Sequence, residues 1–520
     1  MSPTEPSLRL GELVATFALA QDNAFGQPLE SQLRSCLLAD WMCREAGFDP
    51  GLRETTYWVA LLRYLGCTGH AHEVAELFHD DLSIRAQTLV HDAADRDEVL
   101  RDAIQFATAV RPPEQHEEIT AVIRRDVDHW LAFNFSSGCE VADMLAARLG
   151  FDDHIRGVLG FSFERWNGAG FPHHASGEEI PLAMRIVHVS HDMEAYGRRF
   201  SAEEALQVVR DRSGRTYDPE LAELFATHGA EWFDRLAALD PWDAVLALEP
   251  EPHRTFDGAR LDEMLLVVAD FVDLKSPFMS GHSRRCADLA SAAAKVLGYD
   301  DDAIASLRRA ALVHELGTTA VPNSIWDKAA PLTRAEFDRV ELHPMVTEQM
   351  LRRSGALRLL NPLAAAHHER PDGSGYHKSL AASALEPAAQ VLTATDVYVG
   401  LTSDRADRPA LSADDAAAEL LTLAARGSLD PTATGAVLEA AGHSAGVTAA
   451  ARRAQPGGLT EREAEVLRLA ARGLTTKAIA EQLFISPKTA DHHIQHVYTK
   501  IGVSTRAAAA LWAMQQALVA

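Results

Sequence analysis

A long internal repeat constrains the fold of this 520-residue chain more than any other feature. The segment ERWNGAGFP (164–172) aligns with ERPDGSGYH (369–377) at an offset of 205, which also places His191 on Asp396. An offset of 251 aligns two further pairs, RLGELV (9–14) with RLDEML (260–265) and LLRYLGCT (61–68) with LVHELGTT (312–319). These ungapped blocks indicate two copies of one structural unit, the first carrying an insertion within 68–137.

The apolar residues recur at helical spacing along almost the whole chain. LDEMLLVVADFVDL (261–274) and EAEVLRLAARGL (463–474) are typical, whereas alternating β-branched runs are nearly absent. The sequence therefore predicts an all-α protein, in which two tandem helical domains precede a small module of four helices.

Breaks in this pattern predict the domain boundaries. The first copy is expected to occupy 1–245 and the second 256–440. Small residues, two adjacent arginines and a Pro-Gly-Gly stop indicate a linker over 441–457. A compact module is expected over 458–520.

Composition excludes several classes of protein. Lys and Arg number 49 against 74 Asp and Glu, a net charge of −25, which excludes a generally basic surface that coats nucleic acid or anionic membrane. The five cysteines form no C-x-x-C pair, which favours reduced thiols over disulfides or a thiolate zinc site. With neither a leader nor a membrane-length apolar run, we expect a cytoplasmic protein without a membrane partner.

The second copy holds a set of histidines and acids suited to binding metal. Its members are His282, His314, Glu315, His343, His367, His368 and Asp396. Imidazole and carboxylate suit Fe, Mn or Zn, and the adjacent pairs can serve one or two ions, which favours hydrolysis of a phosphate ester. A single buried histidine is more often a hydrogen-bonded core residue, but seven positions together favour a metal site.

Five segments of the second copy, in order, resemble the HD-GYP family of the HD-domain metal phosphohydrolase superfamily, which cleaves cyclic dinucleotides, chiefly cyclic di-GMP. They are GHSRR (281–285), VHELG (313–317), LTRAEFDRVELHP (332–344), HHERPDGSGY (367–376) and ATDVYVGLTSDR (394–405). The resemblance implies that the seven residues above are the metal positions. It also implies a ligand-binding loop formed by Arg370, Asp372, Gly373, Gly375 and Tyr376. It leaves the catalytic residue unassigned.

Three residues depart from the family pattern. Glu315 replaces the signature aspartate, and its extra methylene shifts a carboxylate whose position a metal site fixes closely. Thr318 replaces a lysine that neutralises phosphate charge, and His377 replaces the proline of the motif. We therefore expect turnover to be weakened more than binding.

The first copy lacks this set. Its aligned positions are Ser31, Arg63, Tyr64, Gly138, Ser162, Phe163 and His191, of which at most one can bind metal. We expect this copy to be a scaffold for packing or sensing. The nearby His70, His72 and His79 do not share one helix face and are expected on a solvated surface.

The C-terminal module carries helix signals in close succession. Thr460 with Glu463 forms a capping box, Gly473 ends a helix, and Ser486-Pro487 begins another. The motifs T-x-R-E, G-L-x-x-K-x-I-A, I-S-x-K-T and K-x-G-V closely resemble the LuxR-type helix-turn-helix domain. The resemblance implies DNA contacts from Lys477, Ser486, Lys488, Thr489, His492, His493 and His496. A protein-interaction module is the alternative.

These features lead us to expect a DNA-binding transcriptional regulator. Its HD-GYP-like region would sense a metal or a ligand, such as a cyclic dinucleotide or another phosphorylated molecule, and would form a homodimer on double-stranded DNA. The alternative is an active metal-dependent phosphodiesterase, acting on cyclic di-GMP or another phosphoester, with a DNA-binding tail. A third interpretation is a pure dimerisation scaffold. Whether the chain is an enzyme stays open at this point.

Overall fold

The computed structural model describes residues 7–443 and 455–519, in which helices are the main secondary structure. The expected all-α class is therefore confirmed. Two short strands, Leu8–Arg9 and Thr255–Phe256, pair in a two-stranded sheet. Within the two described ranges, no helix is both long enough and apolar enough to cross a membrane.

The residues divide into two compact units, the first of which spans Arg9–Phe256. Its α-helices are Leu10–Ala24, Ser31–Glu45, Pro50–Leu62, Ala71–Phe78, Asp81–Thr88, Arg96–Ala109, His116–Arg148, Asp153–Leu159, Leu182–Arg199, Ala202–Asp211, Pro219–Ala237 and Pro241–Leu246. The carboxylate of Glu249 is buried and accepts hydrogen bonds from Arg9 Nε at 2.9 Å and Gly11 N at 2.8 Å, so the two ends of the unit meet.

The predicted insertion forms helices of its own in this unit. Three helices fall between residues 71 and 109, and the 33-residue helix His116–Arg148 begins inside the insertion and continues into the repeat. Val74, Phe78, Ile84 and Ile123 belong to a buried apolar cluster on these helices. Burial of this cluster gives the insertion a core of its own.

The second unit comprises residues 7–8 and the described residues from Asp257 onward. Its α-helices are Gly258–Asp273, His282–Val296, Asp301–Val313, Asn323–Trp326, Arg334–Glu341, His343–Leu351, Asn361–Ala364, Pro387–Leu401, Ala413–Ala425, Pro431–Ala440, Glu461–Ala471, Thr476–Gln482, Pro487–Ile501 and Arg506–Gln515. Short 3-10 helices in the two units span Cys67–His70, Pro113–Gln115, Gly177–Glu179, Pro277–Met279, Leu316–Ala320, Leu357–Leu360, Ala382–Ala384 and Pro456–Gly458.

Two of the last four helices begin where the sequence signals predict. Thr460 Oγ1 and the Glu463 carboxylate form the capping box, and Ser486 Oγ accepts a hydrogen bond from Thr489 N at 3.1 Å. Val466, Ile479 and Ile494 lie in the shared core of these helices. The finer domain bounds (1–245, 256–440, 441–457 and 458–520) stay predictions, and residues 444–454 of the linker lie outside the described residues.

Candidate metal centre

The seven predicted ligands of the second copy converge from five points along the chain. His282 begins the helix that ends at Val296, His314 and Glu315 follow Val313, His343 begins the helix that ends at Leu351, His367 and His368 follow Ala364, and Asp396 lies within Pro387–Leu401. Helix ends suit ligands because they project side chains toward a common centre without distorting a helix.

The converging side chains form two adjacent groups that could each hold a metal ion. His282, Cys286, His314 and Asp396 form one group, and Glu315, His343, His367 and His368 form the other. Within each group the ligand atoms all lie within 4.8 Å of one another. Nitrogen and carboxylate ligands at this spacing suit a borderline divalent ion.

Two carboxylates join these groups. Glu315 Oε1 lies 3.5 Å from His282 Nε2, and Glu315 Oε2 lies 3.5 Å from His343 Nε2. Asp396 Oδ1 lies 3.1 Å from His282 Nε2, and Asp396 Oδ2 lies 3.6 Å from His368 Nδ1. The longer side chain of Glu315 therefore still places one oxygen toward each group.

Backbone hydrogen bonds fix the orientation of three of the histidines. Nδ1 of His314, His343 and His367 each bonds the carbonyl oxygen three residues earlier, at 2.6–2.8 Å. A protonated Nδ1 leaves Nε2 as the free nitrogen, which is the arrangement typical of metal-ligating histidine.

The centre is buried and contains polar atoms without protein partners. His314 and Glu315 are 0% and 3% exposed, and among the described residues neither His314 Nε2 nor Glu315 Oε2 has a hydrogen-bond partner. Because a buried polar atom without a partner is costly, this donor set fits a bound cation.

The electrostatics of the centre also favour positive charge. Burial opposes ionisation of Glu315, but His282 and the other histidines hold the pKa of its carboxyl well below the usual value. Burial opposes protonation of His314, but Asp396, Cys286 and Glu315 raise its pKa to about 10. Burial lowers the pKa of His368 to about 3, so this imidazole is neutral at pH 7.

Cys286 belongs to the first group but was not predicted from the sequence. Its Sγ lies 3.6 Å from His282 Nε2, one helical turn further along the same helix. Burial raises the pKa of a thiol, but the charge of His282 holds that of Cys286 below its usual value. The signal that could have found Cys286 is its i, i+4 spacing from His282, which places both side chains on one face of the helix.

Gly317 allows the helix end that carries His343 to approach His314. A Cβ on Gly317 would lie 1.9 Å from the carbonyl oxygen of His343 and 2.8 Å from Thr347 N. The hydroxyl of Thr347 donates to His314 O at 2.9 Å and accepts from Gly317 N at 2.9 Å. Close backbone contact thus sets the separation of the two histidines.

A cavity of about 330 Å³ adjoins the centre. Glu315, His368 and Asp396 line its inner end, and Arg405 and Arg408 line it as well. The two arginines offer positive charge that the neutral side chain of Thr318 cannot supply. The Thr318 hydroxyl is buried and donates to the Glu315 carbonyl oxygen at 2.7 Å.

The predicted ligand-binding loop has divided roles. Of its five residues, Tyr376 lines the cavity. The Asp372 carboxylate accepts from Ser374 N and from the Ser374 and Ser428 hydroxyls, so it shapes the turn. Gly373 has a φ of +76°, and a Cβ on Gly375 would lie 2.4 Å from Arg370 N. His377, which replaces the proline of the motif, has its Nε2 3.3 Å from Glu348 Oε2.

The seven aligned positions of the first copy form no comparable centre. Among the described residues, the only possible metal group in that unit is His91, Glu98 and Asp102, which lies in the insertion. His70 is 5% exposed, so the expectation of a solvated surface was wrong for it, because the insertion covers it.

The helix Pro487–Ile501 presents a polar face to solvent. Ala490, Ile494 and Val497 are buried, which leaves the opposite side free. Of the predicted DNA contacts on this helix, four are exposed: Lys488, Thr489, His492 and His496. The fifth, His493, is partly buried. Lys477 is exposed on the preceding helix, and Ser486 serves as the N-cap.

Family models match both the repeated helical region and the C-terminal module. An HD domain model matches residues 137–221 and 266–433, one segment in each copy, and a model of bacterial regulatory proteins of the luxR family matches 458–513.

Individual relatives extend the match to most of the chain. The chain is 30% identical over 430 residues to 3′3′-cGAMP-specific phosphodiesterase 3 of Vibrio cholerae, covering 80% of this chain and 92% of that protein. It is 32% identical over 184 residues to the cyclic di-GMP phosphodiesterase response regulator RpfG of Xanthomonas campestris, covering 34% of this chain and 47% of that protein. A crystal structure of a cyclic GMP-AMP phosphodiesterase from V. cholerae aligns with a TM-score of 0.59 and 25% identity over 84% of this chain and 98% of that one.

The chain belongs to the HD-GYP family of the HD-domain phosphohydrolases, which depend on metal, and carries a C-terminal luxR-family domain. The expectation of a regulator whose HD-GYP-like region only senses and dimerises was wrong. The curated relative that matches 80% of the chain is a phosphodiesterase, and Glu315, the main reason for doubting turnover, reaches both ligand groups. The alternative interpretation, an enzyme with a DNA-binding tail, is better supported.

Proposed function

We propose that the second copy is a metal-dependent phosphodiesterase that opens a cyclic dinucleotide. The observation that carries this proposal is the pair of ligand groups joined by the carboxylates of Glu315 and Asp396. The first group would hold one ion through His282, His314 and Asp396, and the second would hold another through Glu315, His343, His367 and His368. Iron, manganese and zinc all suit this donor set. Such ions lower the pKa of water and neutralise charge on a phosphodiester.

The side chains around the centre have separate tasks. Arg405 and Arg408 supply positive charge beside the cavity and are placed to bind substrate phosphate. The rings of Trp326 and Tyr376 line the same cavity and offer faces for packing a base. The ring of Tyr376 lies 4.8 Å from that of His368, so a base packed there would sit beside the reacting phosphate.

The substrate class follows from the cavity and from the relatives. Two arginines with two aromatic side chains suit a molecule that carries both phosphates and bases. The relatives named above act on 3′3′-cGAMP and on cyclic di-GMP, so these two molecules are the candidates to test.

The test is hydrolysis by the full-length protein after elemental analysis of its metal content. The protein would be incubated with cyclic di-GMP or 3′3′-cGAMP in the presence of Mn²⁺ or Fe²⁺, and linear products would be separated by chromatography. We expect bound metal and linear dinucleotide from at least one substrate. Protein without metal that leaves both substrates intact under all conditions would overturn the proposal.

We also propose that the luxR-family domain binds double-stranded DNA through the exposed face of the helix Pro487–Ile501. Its N-terminal Lys488 and Thr489, followed by His492, suit phosphates and base edges in the major groove. Residues from Pro456 onward carry seven Lys and Arg against five Asp and Glu, so one module neutralises few phosphates. We therefore expect two chains on each DNA site.

The DNA-binding proposal is tested by the salt dependence of binding. Because each lost phosphate contact lowers the slope of log K against log salt by about 0.9, Lys488→Ala should reduce the slope by about one per chain. The exposed Lys295 of the second copy provides the matched control, and Lys295→Ala should leave the slope unchanged. Equal effects of the two variants would contradict a DNA-facing role for this helix.

A further inference from the structure

The first copy encloses a cavity of about 670 Å³. This volume falls within the range of small-molecule binding sites, which is roughly 300–1,000 Å³. Every residue that lines the cavity belongs to the unit Arg9–Phe256. The phosphodiesterase proposed for the second copy does not use it.

The cavity occupies the same place in the repeat as the cavity beside the metal centre. Four of its lining residues align with lining residues of the second copy: Tyr64 with Glu315, Phe163 with His368, Phe171 with Tyr376, and Asp192 with Val397. The first copy has thus kept the cleft while replacing an acid and a histidine with aromatic rings.

The walls of this cavity are mainly apolar. Phe163 stacks on Phe135 with ring centroids 4.2 Å apart, and Tyr64 stacks on Phe25 at 3.9 Å. The insertion adds Phe78, Trp130 and other apolar side chains that cover the cleft. A cleft that is covered by apolar side chains favours an apolar molecule over a highly polar dinucleotide.

One net positive charge remains among the charged lining residues. The charged residues are four arginines and three aspartates, namely Arg63, Arg85, Arg96, Arg165, Asp102, Asp128 and Asp192. Arg96 pairs with Asp128 at 2.8 Å, and Arg85 donates to the carbonyl oxygens of Ala24 and Cys67. His70 also lines the cavity, and burial lowers its pKa well below the usual value, so it adds no charge at pH 7.

Arg63 is the cation with unused hydrogen-bonding capacity. It replaces the metal ligand His314 of the second copy and is 3% exposed. Among the described residues, its Nε and Nη1 have no hydrogen-bond partner, and Nη1 lies 3.8 Å from the carboxylate of Asp192. The Nε of Arg165 also lacks a hydrogen-bond partner in the described part of the chain. Buried donors of this kind favour an acidic ligand group.

We propose that the first copy binds an organic monoanion with an apolar body, its acidic group on Arg63 and Arg165 and its body among the aromatic rings. The first copy is then a ligand-binding domain derived from the same fold as the enzyme domain. The site needs no metal ion.

The test compares an acid and a neutral molecule of equal length on the full-length protein. Decanoate and decan-1-ol would each be titrated by calorimetry. We expect decanoate to bind at least about tenfold more tightly than decan-1-ol, because a hydrogen bond between two charged groups is stronger than one to a neutral hydroxyl. Arg63→Met should remove this preference while leaving decan-1-ol binding unchanged.

Two further variants keep the test decisive. Ala132 lines the cavity, and Ala132→Trp should block both molecules by filling it, even if Arg63→Met fails to fold. The exposed Arg124 lies on the same long helix as Ala132, and Arg124→Met should change neither affinity. Equal affinity of the wild type for acid and alcohol, no binding of either, or binding unaffected by Ala132→Trp would overturn the proposal. None of these readouts depends on hydrolysis, so they stand apart from the proposed phosphodiesterase.

Discussion

The two copies of the repeat share a turn held by a buried glutamate but differ in the chemistry of the side chains near it. In the first copy the buried Glu164 accepts hydrogen bonds from His173 N at 2.7 Å and Ala175 N at 3.0 Å. In the second copy Glu369 accepts from Lys378 N and Leu380 N, both at 2.7 Å. Each of these pairs is related by the offset of 205. A buried glutamate thus fixes the same turn in both copies, whether or not metal ligands lie next to it.

The difference lies in the side chains that point toward the centre. Where His314 and Glu315 face other ligands in the second copy, Arg63 and Tyr64 face aromatic rings in the first, and the ring of Tyr64 packs edge-on against His191 at 5.2 Å. The comparison teaches that the fold of this repeat depends on backbone contacts and apolar packing. Its chemistry depends on a few positions that can be replaced without loss of the fold.

The difference in chemistry between the two copies is tested most directly by substituting aligned residues. Asp396→Asn should lower phosphodiesterase activity by at least about 100-fold and reduce bound metal, because it removes a charge shared by both ligand groups. The aligned His191→Gln should change neither metal content nor activity. Elemental analysis and hydrolysis rates of the two variants provide the measurement.

An equal loss from both variants would show that the first copy takes part in the chemistry. Unchanged metal content in Asp396→Asn would instead mean that the ligand assignment is wrong. Thermal unfolding of each variant separates either result from a loss of folding.

The sequence predicted much of this picture because its signals are local. Helical periodicity gave the all-α class, and capping residues such as Thr460 and Ser486 gave helix starts that the structure reproduces. The motifs selected seven residues that the structure brings together. The burial of His70 could not be predicted, because it depends on packing between distant segments. The position of Cys286 beside His282 is local, because the two residues lie one turn apart on the same helix, and it could have been predicted.

A second prediction tests the shared backbone contact. A Cβ on Gly66 would lie 1.8 Å from the Gly138 carbonyl oxygen, and one on Gly317 would lie 1.9 Å from that of His343. We expect Gly66→Ala and Gly317→Ala each to lower the free energy of unfolding by about 1–3 kcal/mol through overpacking. Only Gly317→Ala should also lower metal content, because it displaces His343. Chemical denaturation and metal analysis measure the two effects, and a metal loss in Gly66→Ala would contradict the separation of roles.

A third prediction concerns the acid that departs from the family pattern. Glu315→Asp restores the family residue but withdraws the carboxylate by about one carbon–carbon bond. Because both Glu315 oxygens lie 3.5 Å from histidines of different groups, we expect kcat to fall about tenfold with little change in stability. Steady-state kinetics provides the measurement. A higher kcat in Glu315→Asp would mean that the glutamate impairs an ancestral centre.

The smallest expected effect is a pH dependence confined to the first copy. Burial, followed by the charge of Arg63, lowers the pKa of His191 to about 4, whereas an unfolded histidine titrates near about 6.5. The folded state therefore binds fewer protons in this window, so the contribution of His191 to stability is present above about pH 6.5 and is lost as the pH falls toward 4. His191→Gln should lose about 1 kcal/mol less stability than the wild type between pH 7 and pH 5.5.

Urea unfolding followed by tryptophan fluorescence measures this difference. Six of the eight tryptophans lie in the unit Arg9–Phe256, so the signal reports mainly on that unit: Trp41, Trp58, Trp130, Trp166, Trp232 and Trp242. Burial lowers the pKa of His70 and His188 as well, so the variant should keep part of the slope. Identical slopes for wild type and variant would mean that His191 has the same pKa in the folded and the unfolded protein, so that burial and Arg63 do not keep it neutral.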